Sequence, residues 1–221
     1  MGLVTALFSL GAESLASLLA PPACAACAQP VPLRTVFCPA CARTLVAPAP
    51  LAPHDRAAHA AAFAYGGAIA RAITAFKYEQ RPDLGRPLAS AVLHGVAVLG
   101  APRADLVVPV PLHPARLVAR GYNQAALLAG PIARALGARF APRALTRTRD
   151  TAAQASLDRA ARLVNVTRAF AVRRGAKVAG MRVLLVDDVR TTGATLRACA
   201  EALEACGAAD VRAVVVASAE G

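Results

Sequence analysis

The chain has 221 residues, enough for one domain of ordinary size plus a small appendage, and 57% of them are apolar, so a full core can form. Lys and Arg number 25 against 13 Asp and Glu, for a formal charge of +12. That balance suits an anionic partner (a phosphate compound, a nucleic acid, or both), although an Arg-rich composition without specific meaning has the same charge.

Residues 1–20 are apolar, with Leu3, Leu7, Leu10 and Leu18 at helical spacing. No Lys or Arg precedes the run and Glu13 interrupts it, so it is too short and broken to span a bilayer. It reads as an amphipathic helix packed on the protein, and the chain as cytoplasmic with no transmembrane segment. A small module over 21–45 follows. Cys24 and Cys27 form one CxxC pair, and Cys38 and Cys41 form another after ten intervening residues. Two tight turns each aiming two thiolates one way complete a tetrahedral sulfur site, which suits a structural Zn²⁺. Two disulfides are the alternative, disfavoured in a reducing compartment. Four thiolates leave no open coordination position for catalysis. An Ala/Pro-rich linker occupies 46–60, and the main domain 61–221.

Ala61 to Tyr65 reads as a short strand. Ile69, Ile73 and Phe76 mark a helix closing near Lys77 and Tyr78, and Asp83 is placed to cap a second helix that buries Leu84, Leu88 and Val92. Asp105 to Pro111 is a buried strand whose prolines send the chain out of the sheet in a fixed loop. Arg116 and Arg120 follow, and then a helix from about Asn123 to Leu136, bent at Pro131. From Arg139 to Lys177 there are ten basic residues and two acidic ones. Its core, Thr146 to Val166, is polar and poorly periodic, and reads as a functional or mobile loop or as a solvated basic helix over Leu157 to Val164. Arg168 to Val172 is expected to lead back into the sheet as a strand.

The most informative segment begins at Met181. Arg182 to Val186 reads as a buried strand ending at Asp187 and Asp188, Val189 to Gly193 as a turn, and Thr195 to Cys206 as a helix that buries Cys199 and Cys206. Val211 to Ala217 is a further strand. This is a βαβ unit, so its two strands should be parallel. Ligands of open α/β sheets sit beyond the carboxyl ends of strands, and a helix N-terminus suits a phosphate. The hydroxyls of Thr191, Thr192 and Thr195 can serve the same anion, and Gly193 allows close backbone approach. Two adjacent carboxylates fit beside neutral ribose hydroxyls and a nearby Mg²⁺.

The string from Val186 to Thr195 closely resembles the phosphoribosyl-diphosphate motif of type I phosphoribosyltransferases. Over nearly its whole length the chain resembles the ComF family, which joins a zinc-binding segment to a phosphoribosyltransferase domain and is linked to competence and DNA uptake. The paired CxxC, Phe76-Lys77-Tyr78, Val108 to Pro114, Arg120 to Gln124, and Gln154 through Arg162 to Asn165 carry that resemblance in order. Tyr122 stands where Phe is commoner, and Arg190 where an apolar or aromatic residue is usual; Arg190 leaves the packing of its loop open.

The resemblance implies a mainly parallel α/β sheet flanked by helices behind a small four-cysteine zinc module. Asp187 and Asp188 would act on the ribose as catalytic carboxylates. Thr191, Thr192, Gly193, Ala194 and Thr195 would hold the 5-phosphate, with Pro109, Arg116 and Arg120 near the diphosphate. Arg147, Arg149, Arg159 and Arg162 would form a lid or meet DNA. The partner implied is phosphoribosyl diphosphate with Mg²⁺, either turned over by phosphoribosyl transfer or only sensed. In the sensing case the chain would bind single-stranded DNA and work with a DNA-uptake helicase. A homodimer is also open, and no residue identifies an acceptor.

Overall fold

The computed structural model describes residues 22–33, 35–49, 59–98, 103–148 and 169–219. The expected N-terminal helix, residues 50–58 of the linker, and Arg149, Arg159 and Arg162 lie outside them.

A run such as Val183-Leu-Leu-Val186 has apolar side chains on both faces of a strand and so needs cover on both. It lies in β6 (Arg182–Arg190), at the middle of a five-stranded parallel sheet. The strands β1 (His59–Ala64), β7 (Asp210–Ser218), β6, β2 (Leu106–Pro109) and β3 (Arg139–Phe140) lie side by side in that order. Strand alternation divides the core in two. Val107, Leu184, Val186 and Val214 face one layer, built on α2 (Gly67–Tyr78), α3 (Gly85–Val98) and α5 (Gln124–Leu136). Leu106, Val108, Val183, Leu185 and Val215 face the other, built on α6 (Ala194–Glu204) and a small antiparallel ribbon.

That ribbon pairs β4 (Leu145–Arg147) with β5 (Phe170–Val172). The strand expected over Arg168 to Val172 therefore does not return to the main sheet. Its three paired residues are satisfied by β4, and Arg173 N–H closes the ribbon on the Ala144 carbonyl at 2.8 Å. β6 also runs to Arg190, past the expected end at Val186, because its backbone stays in register with β7 as far as Ser218. Asp187 and Asp188 are thus within the last turns of the pleat.

Three local expectations change. Asp83 does not cap α3. It sits in a 3-10 turn (Pro82–Leu84), where Arg81 grips its carboxylate through Nε at 2.9 Å and Nη2 at 2.7 Å. The segment after Pro111 contains a short helix, α4 (Pro114–Arg120), opened by His113, whose Nδ1 accepts from Ala115 N–H at 3.4 Å, and closed by Gly121 in the left-handed region. Cys206 is exposed, unlike the fully buried Cys199, because α6 stops at Glu204 before its face recurs.

Candidate functional site

At the front of the chain, Cys24, Cys27, Cys38 and Cys41 bring their sulfurs within 4.8 Å of one another, and all are free thiols. The Cys27 and Cys38 sulfurs are 3.7 Å apart. A tetrahedral Zn²⁺ with bonds of about 2.3 Å would set its sulfurs about 3.8 Å apart, so the donor set fits that ion. Local backbone makes the pocket: Cys24 N–H bonds Gln29 O at 2.8 Å, Ala28 N–H bonds Cys24 O at 2.9 Å, and Cys38 caps the four-residue helix α1 (Pro39–Ala42). Burial works against ionising Cys24, but amides led by that of Cys38, whose N–H points at its sulfur from 3.4 Å, lower the thiol to about 6. The knuckle is bolted to the larger domain. Arg71 of α2 reaches the Cys41 sulfur at 3.7 Å, and Thr44 accepts from Ala68 N–H at 2.9 Å while donating to Cys41 O at 2.8 Å. At Gly67 a Cβ would come within 2.5 Å of the Thr44 carbonyl, so only glycine permits the approach.

The second cluster lies at the carboxyl end of β6. Asp188 is 6% exposed and forms an ion pair with Lys77 Nζ at 2.7 Å. Lys77 belongs to the last turn of α2, on the side of the sheet that Leu184 and Val186 face. Asp187 falls in the register of Val183 and Leu185, so its side chain belongs to the α6 side, and its Oδ1 accepts from Asp188 N–H at 2.9 Å. Burial first, and then the neighbouring Asp188 charge, push the Asp187 carboxyl up to about 7, while Lys77 and Arg147 pull it the other way. Lys77 is the functional candidate that reading the sequence for ligand contacts missed. Its signal was the Phe76-Lys77-Tyr78 cluster.

The loop after β6 leads into α6 through Gly193, which caps the helix at φ 73°, ψ 0°. A Cβ there would stand 3.3 Å from Arg197 Nη1, so a second cation borders the loop that leads into α6. Thr191 and Thr192 are exposed and Thr195 is half-buried, with Thr192 Oγ1 accepting from Ala194 N–H at 3.4 Å. Arg190 packs against β7, its Nε 3.1 Å from Ser218 Oγ, which settles how the loop accommodates it. On the neighbouring strand, Pro109 pairs in register with Val186, and Val110 N–H bonds the Val186 carbonyl at 2.9 Å. The Asn123 side chain then holds the exit loop, donating to Val110 O at 3.0 Å and accepting from Ala125 N–H at 3.0 Å. Tyr122 donates its hydroxyl to the Phe76 carbonyl at 2.5 Å, beside a ring contact of 6.0 Å, and Arg120 lies 5.2 Å from the Tyr78 ring centroid. The two motifs around Phe76 and Tyr122 thus meet one residue from Lys77. Arg116 is half-buried on α4. Arg147, on the ribbon, lies 5.4 Å from the Phe170 ring centroid.

Cys38→Ser should release bound metal, measured by elemental analysis, and expose the knuckle to limited proteolysis while 103–148 and 169–219 stay protected; retention of full metal content would rule out the four-sulfur site. Asp187 has a raised folded pKa, so its ionised form opposes folding. The penalty is absent below the unfolded value near 4, grows as pH rises toward about 7, and is constant above. Asp187→Asn should therefore melt higher than the wild type at pH 8, with a gap that closes by pH 4; a pH-independent gap would contradict the burial argument.

Comparison with known proteins places these features. The model of the phosphoribosyl transferase domain matches residues 123–220. The chain is 33% identical over 201 residues to the DNA utilization protein YhgH of Salmonella typhi, across 86% of this chain and 87% of that protein. It is 37% identical over 152 residues to the protein of the same name in Escherichia coli strain K12, across 67% and 66%. Competence protein F of Haemophilus influenzae is 33% identical over 148 residues, 63% of each chain. Among solved structures, the glutamine phosphoribosylpyrophosphate amidotransferase from B. subtilis is 26% identical over 62% of this chain and 26% of its own, at a TM-score of 0.39, a superposition too loose to carry detail. A chain that shares a third of its residues with YhgH along nearly all of both, and sets a phosphoribosyltransferase domain behind a four-cysteine cluster, belongs to the ComF/YhgH family.

Proposed function

We propose that the protein binds 5-phosphoribosyl 1-diphosphate with Mg²⁺ at the carboxyl ends of β2 and β6, and that the four-cysteine knuckle holds a structural Zn²⁺. The observation that carries the reading is the largely buried pair of carboxylates immediately before a glycine-opened helix. Asp188 is already held by Lys77, while burial and the Asp188 charge raise the Asp187 carboxyl to about 7. Ribose hydroxyls donating to Asp187 and Asp188 would supply what burial withholds. The N-terminus of α6, with Thr191, Thr192, Gly193, Ala194 and Thr195, offers amides and hydroxyls to the 5-phosphate. The loop after Pro109, with Arg116 and Arg120, borders the place where the diphosphate would lie, and Arg147 approaches from the ribbon. The magnesium ion would neutralise diphosphate charge when bound. In transfer, the bond from the anomeric carbon to diphosphate breaks as an acceptor nucleophile bonds to that carbon, and the arginines stabilise the leaving charge.

DNA handling is a second reading. It is favoured by the names of the relatives, DNA utilization and competence proteins, and by the formal charge of +12. In that case the phosphoribosyl site is a sensor, and single-stranded DNA and a DNA-uptake helicase are the partners. The test is thermal. Phosphoribosyl diphosphate with Mg²⁺ should raise the melting temperature of the wild type, and the Asp187→Asn, Asp188→Asn double variant should lose that shift while remaining folded. Equal shifts in both proteins would remove the two carboxylates from the site. Diphosphate release with a panel of nucleobases would mark an enzyme, and its absence alongside salt-dependent binding of single-stranded DNA would mark the sensor.

A further inference from the structure

A second concave surface lies at the opposite end of the sheet. It opens at the amino ends of β2 and β3, where Leu106 and Arg139 begin their strands, and has a volume of about 510 Å³. Roughly 16 Å of strand separates the start of β6 beside it from Asp187, at the usual rise per residue. Arg139, Arg143, Arg173, Arg174 and Lys177 line this cavity, all exposed, and among the described residues no Asp or Glu does. The nearest acid along the chain, Asp105, is taken by Arg182, whose Nη2 and Nε meet its carboxylate at 2.6 and 2.9 Å. Two separate segments supply the cations, β3 with the turn that follows it and the loop between β5 and β6. They are tied across the hollow by Arg139 Nη2, which donates to the Lys177 carbonyl at 2.9 Å.

Five like charges around one hollow repel one another, so an anion entering it gains from all of them. Leu106 and Val178 are the buried apolar residues beneath it. The Phe140 ring turns to the other face of the sheet, in register with Val107, and a Cβ at Gly130 of α5 would stand 3.8 Å from that ring. The volume suits a small ligand, and the cations converge on a cavity instead of tracking a line as a strand-binding groove would.

We propose that this cavity is a second ligand site, independent of the phosphoribosyl site, that takes a small polyphosphate anion, whose phosphates meet Arg143, Arg173 and Arg174. The test is calorimetric titration of the full-length protein with inorganic tripolyphosphate at low salt without added divalent cation. Saturable binding is expected, and the Asp187→Asn, Asp188→Asn double variant should retain it, so the outcome does not depend on what occupies the carboxylate site. Arg143→Gln with Arg173→Gln should weaken binding about tenfold or more, because each arginine contributes a charge-assisted contact. Both side chains are exposed, so an unchanged melting temperature is expected and separates lost binding from lost folding. Failure to bind, loss of binding in the double aspartate variant, or indifference to the arginine pair would each overturn the proposal. So would a single-stranded oligonucleotide that binds through these arginines when tripolyphosphate does not.

Discussion

Burial of β6 on both faces is the constraint from which the rest of the arrangement follows. With Val183 and Leu185 turned to one core and Leu184 and Val186 to the other, a shift of one residue would exchange the two faces along the whole strand. Its neighbours lock that register through parallel pairing with β2 and β7. The same alternation, continued two residues further, sends Asp188 toward α2 and Asp187 toward α6. The position of the two carboxylates is therefore a consequence of core packing upstream.

The two carboxylates at that strand end are unequally satisfied. Asp188 has its own cation in Lys77, and such a half-buried pair is costly to break, because removing one partner strands the other. Asp187 accepts from the Asp188 amide, yet burial and the Asp188 charge still hold its carboxyl up near 7. A hydroxyl donor or a cation reaching Asp187 would offset this cost, so affinity and stability would oppose each other there.

The cysteine knuckle contributes to that site at one remove. It meets the start of α2 through Arg71, Thr44 and the side-chain-free face of Gly67, and the last turn of the same helix presents Lys77 to Asp188. Phe76 and Tyr122 clamp that last turn to the loop after β2. Three segments far apart in the chain are thus held at one strand end by a single helix used as a strut.

The amino-acid sequence by itself determined the elements whose signals are local. Continuous apolar runs marked β6 and β7, residues such as Leu196, Cys199 and Leu203 marked the face of α6, and the two CxxC pairs brought their own turns. The carboxylates, threonines and Gly193 could be read as a site because they are contiguous. What only the tertiary structure decided is non-local or lacks periodicity. α4 buries no residue, so it leaves no apolar stripe to read. β4 and β5 are three residues each and are strands only because they meet each other, which no pattern within either could announce. The pairing of Lys77 with Asp188 and the gathering of Arg139, Arg143, Arg173, Arg174 and Lys177 around one hollow depend on distances through space. Charge acts across those distances, and residue order along the chain does not encode them.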